Sequence, residues 1–281
     1  MEATVFLAVL AAAAFHAGWN AILKIRLEPL LAMSLIAAAS GLVAVPFLPI
    51  VDVPHPDSWI YLLASLIIHF VYYIALAEAY RTGDLGQVYP VARGAAPLLT
   101  AIGASLWLGE HLGWIGWCGI LVLAGGIMLL SFRGGRDVRK IDRRAIGFAL
   151  VTAASIALYT LADGIGARLA GAPSSYIVWM FVLDGLMMLT FGLLRFPKAM
   201  VSDGVNSWAL VLAGGALSCA AYAIAIWAMT KAPIALVAAL RETSVLFAAM
   251  IGIAWLREPV IATRLVAALL VVAGMVLVRL R

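Results

Sequence analysis

Gln87-Val88-Tyr89-Pro90-Val91-Ala92-Arg93-Gly94 lies inside an apolar run that extends from Leu85 to Leu108. A helix needs about 20 apolar residues to cross a bilayer, and this run is long enough. At about 1.5 Å of rise per residue, Arg93 stands roughly 12 Å inside the start of the run. A guanidinium facing lipid at that depth costs about 2.5 to 3.5 kcal/mol on insertion scales. Arg93 must therefore face a cavity, a counter-charge or a ligand. Pro90 removes one backbone hydrogen bond just ahead of it and loosens the helix there. Tyr89, four residues before Arg93, shares its face.

The rest of the chain is of the same kind. Its 281 residues are 65% hydrophobic and 12% charged, and the mean hydropathy is +1.08. A soluble domain carries about 25% charged residues, so this is a polytopic membrane protein with little mass outside the bilayer. The net charge of +5 comes from basic residues clustered in a few loops, which suits topology determination and not nucleic-acid binding. Cys118 and Cys219 fall inside apolar runs and read as small core residues, not as a disulfide or metal pair. The first apolar run follows Met1-Glu2 directly, without the basic stretch that opens a cleaved signal peptide.

Apolar runs of spanning length occur at about 3–23, 29–50, 58–80, 85–108, 111–132, 144–168, 174–194, 206–229, 234–256 and 259–279. The expectation is an all-α integral membrane protein of ten transmembrane helices. Most connections are short, so successive helices should be antiparallel neighbours; the longer loops are 133–143 and 195–205. Glycine pairs such as Gly125-Gly126 and Gly214-Gly215 read as seams where helices approach closely. Trp59, Trp114, Trp117 and Trp208 lie near span ends and read as interfacial anchors.

Loops on one side would hold Lys24, Arg26, Arg81, Arg133, Arg136, Arg139, Lys140, Arg143, Arg144, Arg195, Lys198 and Arg257; the other side would hold Arg168, Lys231, Arg279 and Arg281. The positive-inside rule puts the richer side in the cytoplasm and both termini outside. A cysteine introduced as Gly135→Cys is then expected to resist a membrane-impermeant thiol reagent in intact cells. Ready labelling would reverse the orientation.

An internal repeat appears at an offset of about 148 residues. Arg93 meets Arg241, Trp107-Leu108-x-Glu110 meets Trp255-Leu256-x-Glu258, Gly126 meets Gly274 and Arg133 meets Arg281. A looser register sets Asn20 against Asp163. Each half would have five spans, and an odd number makes the halves enter the membrane in opposite senses. Inverted repeats of this kind place a substrate site near the midplane between them. The expected divisions are 1–132, the charged connection 133–143, and 144–281, around a central cavity.

With spans four and nine closing on Leu108-Gly109-Glu110 and Leu256-Arg257-Glu258, the chain resembles the drug/metabolite transporter superfamily, EamA type, over its whole length. That resemblance implies a ten-helix transporter fold with a central cavity. It also implies export of amino acids, aromatic ones included, of other metabolites or of drugs; other members take up sugars or choline. It does not fix the substrate.

The residues themselves place a polar face inside the membrane. Span one carries His16, Trp19 and Asn20 on one stripe, and span three carries His69, Tyr72 and Tyr73. Tyr89 and Arg93 come from span four, Tyr159 and Asp163 from span six, Tyr222 and Trp227 from span eight, and Arg241 and Glu242 from span nine. Rings with one polar tip among a few charges suit a small zwitterionic or partly apolar solute. Arg93 is the residue expected to receive a substrate carboxylate; its competing role is a structural pair with Glu78 or Asp163. Arg241 and Glu242 lie about 100° apart around a helix and cannot both face one target. Asp184 is mid-span, suited to either a cavity or a peripheral polar bond.

The expected function is a secondary transporter of a small organic metabolite, an exporter in the bacterial inner membrane working by alternating access. Asp163, Glu242, His16 or His69 would serve proton coupling. The sequence has no nucleotide-binding loop, no H-E-x-x-H, and no intramembrane protease motif beyond the incomplete Arg81-Thr82-Gly83-Asp84, so an enzyme is not expected. No cofactor, metal or obligate protein partner is called for.

Overall fold

The structure is a computed structural model that describes residues 1–23, 27–83, 85–131, 142–256 and 262–280. Of residues 23, 85–87, 89, 90, 130, 131, 252 and 254–256 it describes only the backbone. Among the described residues there is no strand. The longer helices are α1 (Ala3–Leu23), α2 (Pro29–Ala44), α3 (Trp59–Thr82), α4 (Leu85–Trp107), α5 (Gly113–Ser131), α6 (Arg143–Leu169), α7 (Pro173–Arg195), α8 (Pro197–Asn206), α9 (Trp208–Met229), α10 (Ile234–Arg241), α11 (Ser244–Leu256) and α12 (Ala262–Leu280).

One of the expected spans comes out differently. Eight stretches among the described residues are long and apolar enough to cross a membrane, not ten. The other two expected spans, α4 of 23 residues and α5 of 19, each include residues of which only the backbone is described. The start of α5 is set by Gly109 and Gly113, whose φ of +63° and +59° turn the chain in a way L side chains resist. The expected continuous helix over 234–256 is broken between α10 and α11 at Glu242-Thr243. The expected loop 195–205 contains α8.

The packing repeats with the sequence. α1 lies on α9 and α11 as α6 lies on α3 and α4; α2 lies on α9 as α7 lies on α3; and α2–α7 and α5–α12 pair across the middle. Exchanging the halves maps each of these contacts onto another or onto itself, the signature of a twofold relation.

Small residues make the central pairings possible. A Cβ on Gly185 of α7 would lie 2.7 Å from the Cα of Gly41 on α2. On Gly274 of α12 it would lie 2.6 Å from the backbone nitrogen of Leu123 on α5, and on Gly126 2.8 Å from that of Val271. Gly215 is similarly closed by Ala39, whereas Gly125 meets nothing within 4 Å. Of the two glycine pairs read as seams, Gly126 and Gly215 are the closely packed members.

Outside this packing, Ile50, Leu106, Leu194 and Leu269 stand exposed, as a lipid-facing surface requires. Trp114 and Trp208 are also exposed, while Trp59 stacks edge-on against Trp179. Cys118 is exposed as well, so it is not the core residue expected; α5 turns it outward.

Candidate functional site

A cavity of about 70 Å³ opens between α1, α2, α3, α6, α7, α9 and the end of α10. It is lined by His16, Trp19, His69, Tyr72, Tyr73, Tyr159, Tyr222 and Arg241, eight of the residues expected there. Ligand pockets usually measure about 300–1,000 Å³, so a solute of any size has to spread these helices.

The break in the ninth span builds one end of this site. The amides of Glu242, Thr243, Val245 and Leu246 bond three residues back, to Ala239, Leu240, Glu242 and Thr243, and the Thr243 hydroxyl donates to the Leu240 carbonyl at 2.7 Å. This is a tight turn in place of α-helical bonding, with a hydroxyl competing for the backbone. Backbone of this kind at membrane depth survives only inside protein or beside a cavity, and Leu240 to Ser244 are all buried.

The turn sends Arg241 and Glu242 to different targets. The Arg241 guanidinium lies 4.7 Å from the centre of the Tyr222 ring, in cation–π range. Glu242 meets Arg93 of α4, with Nη1 donating to Oε1 at 3.2 Å and Oε2 at 3.4 Å, and both side chains are buried. The counter-charge of Arg93 is therefore Glu242, not the Glu78 or Asp163 expected. Glu78 instead accepts from Arg81 at 2.7 Å.

Arg93 also reaches His16 Nε2 through Nη2, while Trp19 Nε1 donates to His16 Nδ1 at 3.2 Å. Both neighbours are pure donors, and a neutral imidazole has one acceptor nitrogen. A neutral His16 can accept from only one of them.

Aromatic rings form the wall beyond. His69 stacks on Tyr159 at 4.1 Å, and both stand edge-on to Tyr222 at 5.8 Å. His69 Nδ1 lies 3.0 Å from the Ser65 carbonyl oxygen and 3.1 Å from the Ser65 hydroxyl. The His69 ring lines the cavity.

Several expected residues are not brought to the cavity. Asp163 is fully buried, taking hydrogen bonds from Tyr176 at 2.9 Å and from the Tyr222 hydroxyl, so it holds Tyr222 from behind. Asn20 donates to the His16 carbonyl of its own helix at 2.8 Å, and Trp227 packs on the apolar core. The side chain of Tyr89 lies outside the described residues.

The residue most easily missed is Asp184 of α7. It is buried and lines the cavity; Tyr73 donates to its Oδ2 at 2.9 Å, and among the described residues its Oδ1 has no hydrogen-bond partner. Its only signal in the sequence was an acidic residue mid-span, next to the glycine that packs on Gly41.

At the far end of α10 the carboxylate of Glu110 accepts from the amides of Ile234 at 2.9 Å and Ala235 at 3.3 Å, and from Arg168 at 3.2 Å. Arg168 also holds the Met229 and Ala232 carbonyls. Glu110 thus caps α10, the short helix whose other end delivers Arg241; Glu258 lies outside the described residues.

A crystal structure of another protein superposes with a TM-score of 0.80 at 19% identity, over 100% of this chain and 99% of that one. At that identity the likeness shows the fold alone. No curated protein matches the sequence. The EamA-like transporter family matches residues 3–132 and again residues 143–280, one match on each set of repeated helices. The chain therefore belongs to the EamA-like transporter family, the multi-pass membrane proteins of the drug/metabolite transporter superfamily that carry small molecules.

Proposed function

We propose that the chain is a secondary transporter that exports a small organic metabolite, amino acids with aromatic side chains foremost, across the bacterial inner membrane. The observation that carries this reading is the broken ninth span, which sets a buried guanidinium, Arg241, on the Tyr222 ring in an aromatic-walled cavity. A discontinuous helix at the meeting of two repeats is where secondary transporters hold their solutes. The guanidinium suits a carboxylate, and the rings of Tyr72, Tyr159 and Tyr222 suit an aromatic side chain.

In this reading α4 and α5 complete ten crossings, and the halves 1–132 and 144–281 rock about the solute, joined by 133–143. An entering carboxylate competes with Glu242 for Arg93. The solute gradient, or protons bound at cavity histidines or carboxylates, supplies the energy. A choline-type cation is the second reading, favoured by the unpartnered oxygen of Asp184 and by the ring faces; the guanidinium in the same cavity weighs against it.

Counterflow in proteoliposomes separates the two. Vesicles loaded with unlabelled L-phenylalanine are expected to accumulate the labelled compound transiently, and vesicles holding the Arg241→Gln protein are not. Accumulation of labelled choline without any amino-acid counterflow would replace the first reading by the second.

A further inference from the structure

We propose that Asp184, with Tyr73 and His69, forms a subsite for the ammonium group of the solute, so that the cavity selects molecules carrying both an amine and a carboxylate. The inference rests on the cavity being the transport site and adds which end of the solute goes where.

The two kinds of polar group are segregated. Arg241 lies over Tyr222, Tyr222 stands edge-on to His69 at 5.8 Å, the His69 and Tyr73 rings are 6.2 Å apart, and Tyr73 donates to Asp184 at 2.9 Å. Asp184 and Arg241 thus occupy opposite ends of a chain of rings. Near Arg241 the Arg93 and Trp19 donors face the two nitrogens of His16, and the Glu242 carboxylate is already taken by Arg93. Near Asp184 the open position is an acceptor: among the described residues its buried Oδ1 lacks a partner.

A buried carboxylate oxygen without a partner is costly, and a charged donor removes that cost. An ammonium offers three donors and a compact charge that also favours the faces of nearby rings. A carboxylate at the Asp184 end would meet like charge, so the arrangement also fixes orientation.

Three probes and two proteins test this. Affinities of the purified protein are measured by calorimetry for L-phenylalanine, for 3-phenylpropanoate, which lacks the amine, and for 2-phenylethylamine, which lacks the carboxylate. Wild type is expected to prefer L-phenylalanine over 3-phenylpropanoate by about ten- to a hundredfold, the range of one charge-assisted hydrogen bond. Asp184→Asn keeps the shape, and the preference is expected to collapse toward unity.

Equal wild-type affinities for L-phenylalanine and 3-phenylpropanoate overturn the ammonium subsite and leave the carboxylate reading standing; this arm needs no variant to fold. A preference that survives Asp184→Asn also overturns it. If Asp184→Asn instead abolishes only a dependence on sodium or protons, the oxygen serves a coupling ion and the proposal falls. If none of the three probes binds wild type, the aromatic amino-acid reading falls together with the subsite built on it.

Discussion

Arg93→Gln is expected to lower the yield of folded protein and its melting temperature by on the order of 10 °C. Arg93 and Glu242 are both buried, at 7% and 4% side-chain exposure, and 3.2 Å apart. Removing one partner leaves the other as an uncompensated buried charge, which costs about 3–5 kcal/mol. Glu242→Gln should do the same from the other side. The double variant, Arg93→Gln with Glu242→Gln, is expected to recover most of the loss, because two neutral amides can bond each other at the same place. Melting curves of the four proteins in one detergent settle the matter: an Arg93→Gln protein that melts with wild type is not held by this pair. Affinity for L-phenylalanine in the same variant gives the second half of the answer. Unchanged affinity in a folded Arg93→Gln protein would end the role of Arg93 in receiving a carboxylate and leave Arg241 as the group that does so.

Gly185→Val should be at least as damaging, for a steric reason. The Cβ it adds would stand 2.7 Å from the Gly41 Cα and 3.0 Å from the Ala37 carbonyl oxygen. These are backbone atoms of a neighbouring helix, which cannot turn aside as a side-chain tip can. Overpacking costs about 1–3 kcal/mol and more when backbone must move. Here α7 is forced from α2, and Asp184, the preceding residue, moves with it. Loss of monodisperse protein on size exclusion is the expected result, with ligand binding lost in whatever remains. Gly125→Ala is the matched control: it meets nothing within 4 Å, and alanine improves a helix interior by up to about 1 kcal/mol relative to glycine. Wild-type behaviour of Gly185→Val would mean that the α2–α7 seam is not close-packed.

Composition and apolar run length were enough to define a helical membrane protein, because a bilayer leaves the backbone few ways to satisfy its hydrogen bonds. The offset from Arg93 to Arg241 was legible because the two repeats retain similar residues at corresponding depths. That Arg93 needed a partner was legible too, since the cost of an unpaired charge in lipid depends only on depth. The identity of that partner was not: Glu242 lies 149 residues away, and only packing of α4 against the end of α10 joins them. Nor was the break at Glu242-Thr243 marked by proline or glycine; it rests on a hydroxyl bonding the backbone in a place where neighbouring helices exclude lipid. Asp163 and Asp184 looked alike as mid-span acids. Tertiary structure separated them, giving Asp163 two tyrosine hydroxyls and leaving Asp184 one, because the Gly41–Gly185 contact brings Asp184 to the cavity wall. Sequence by itself determined which residues could not face lipid; the helix contacts alone decided which of them face each other and which face the cavity.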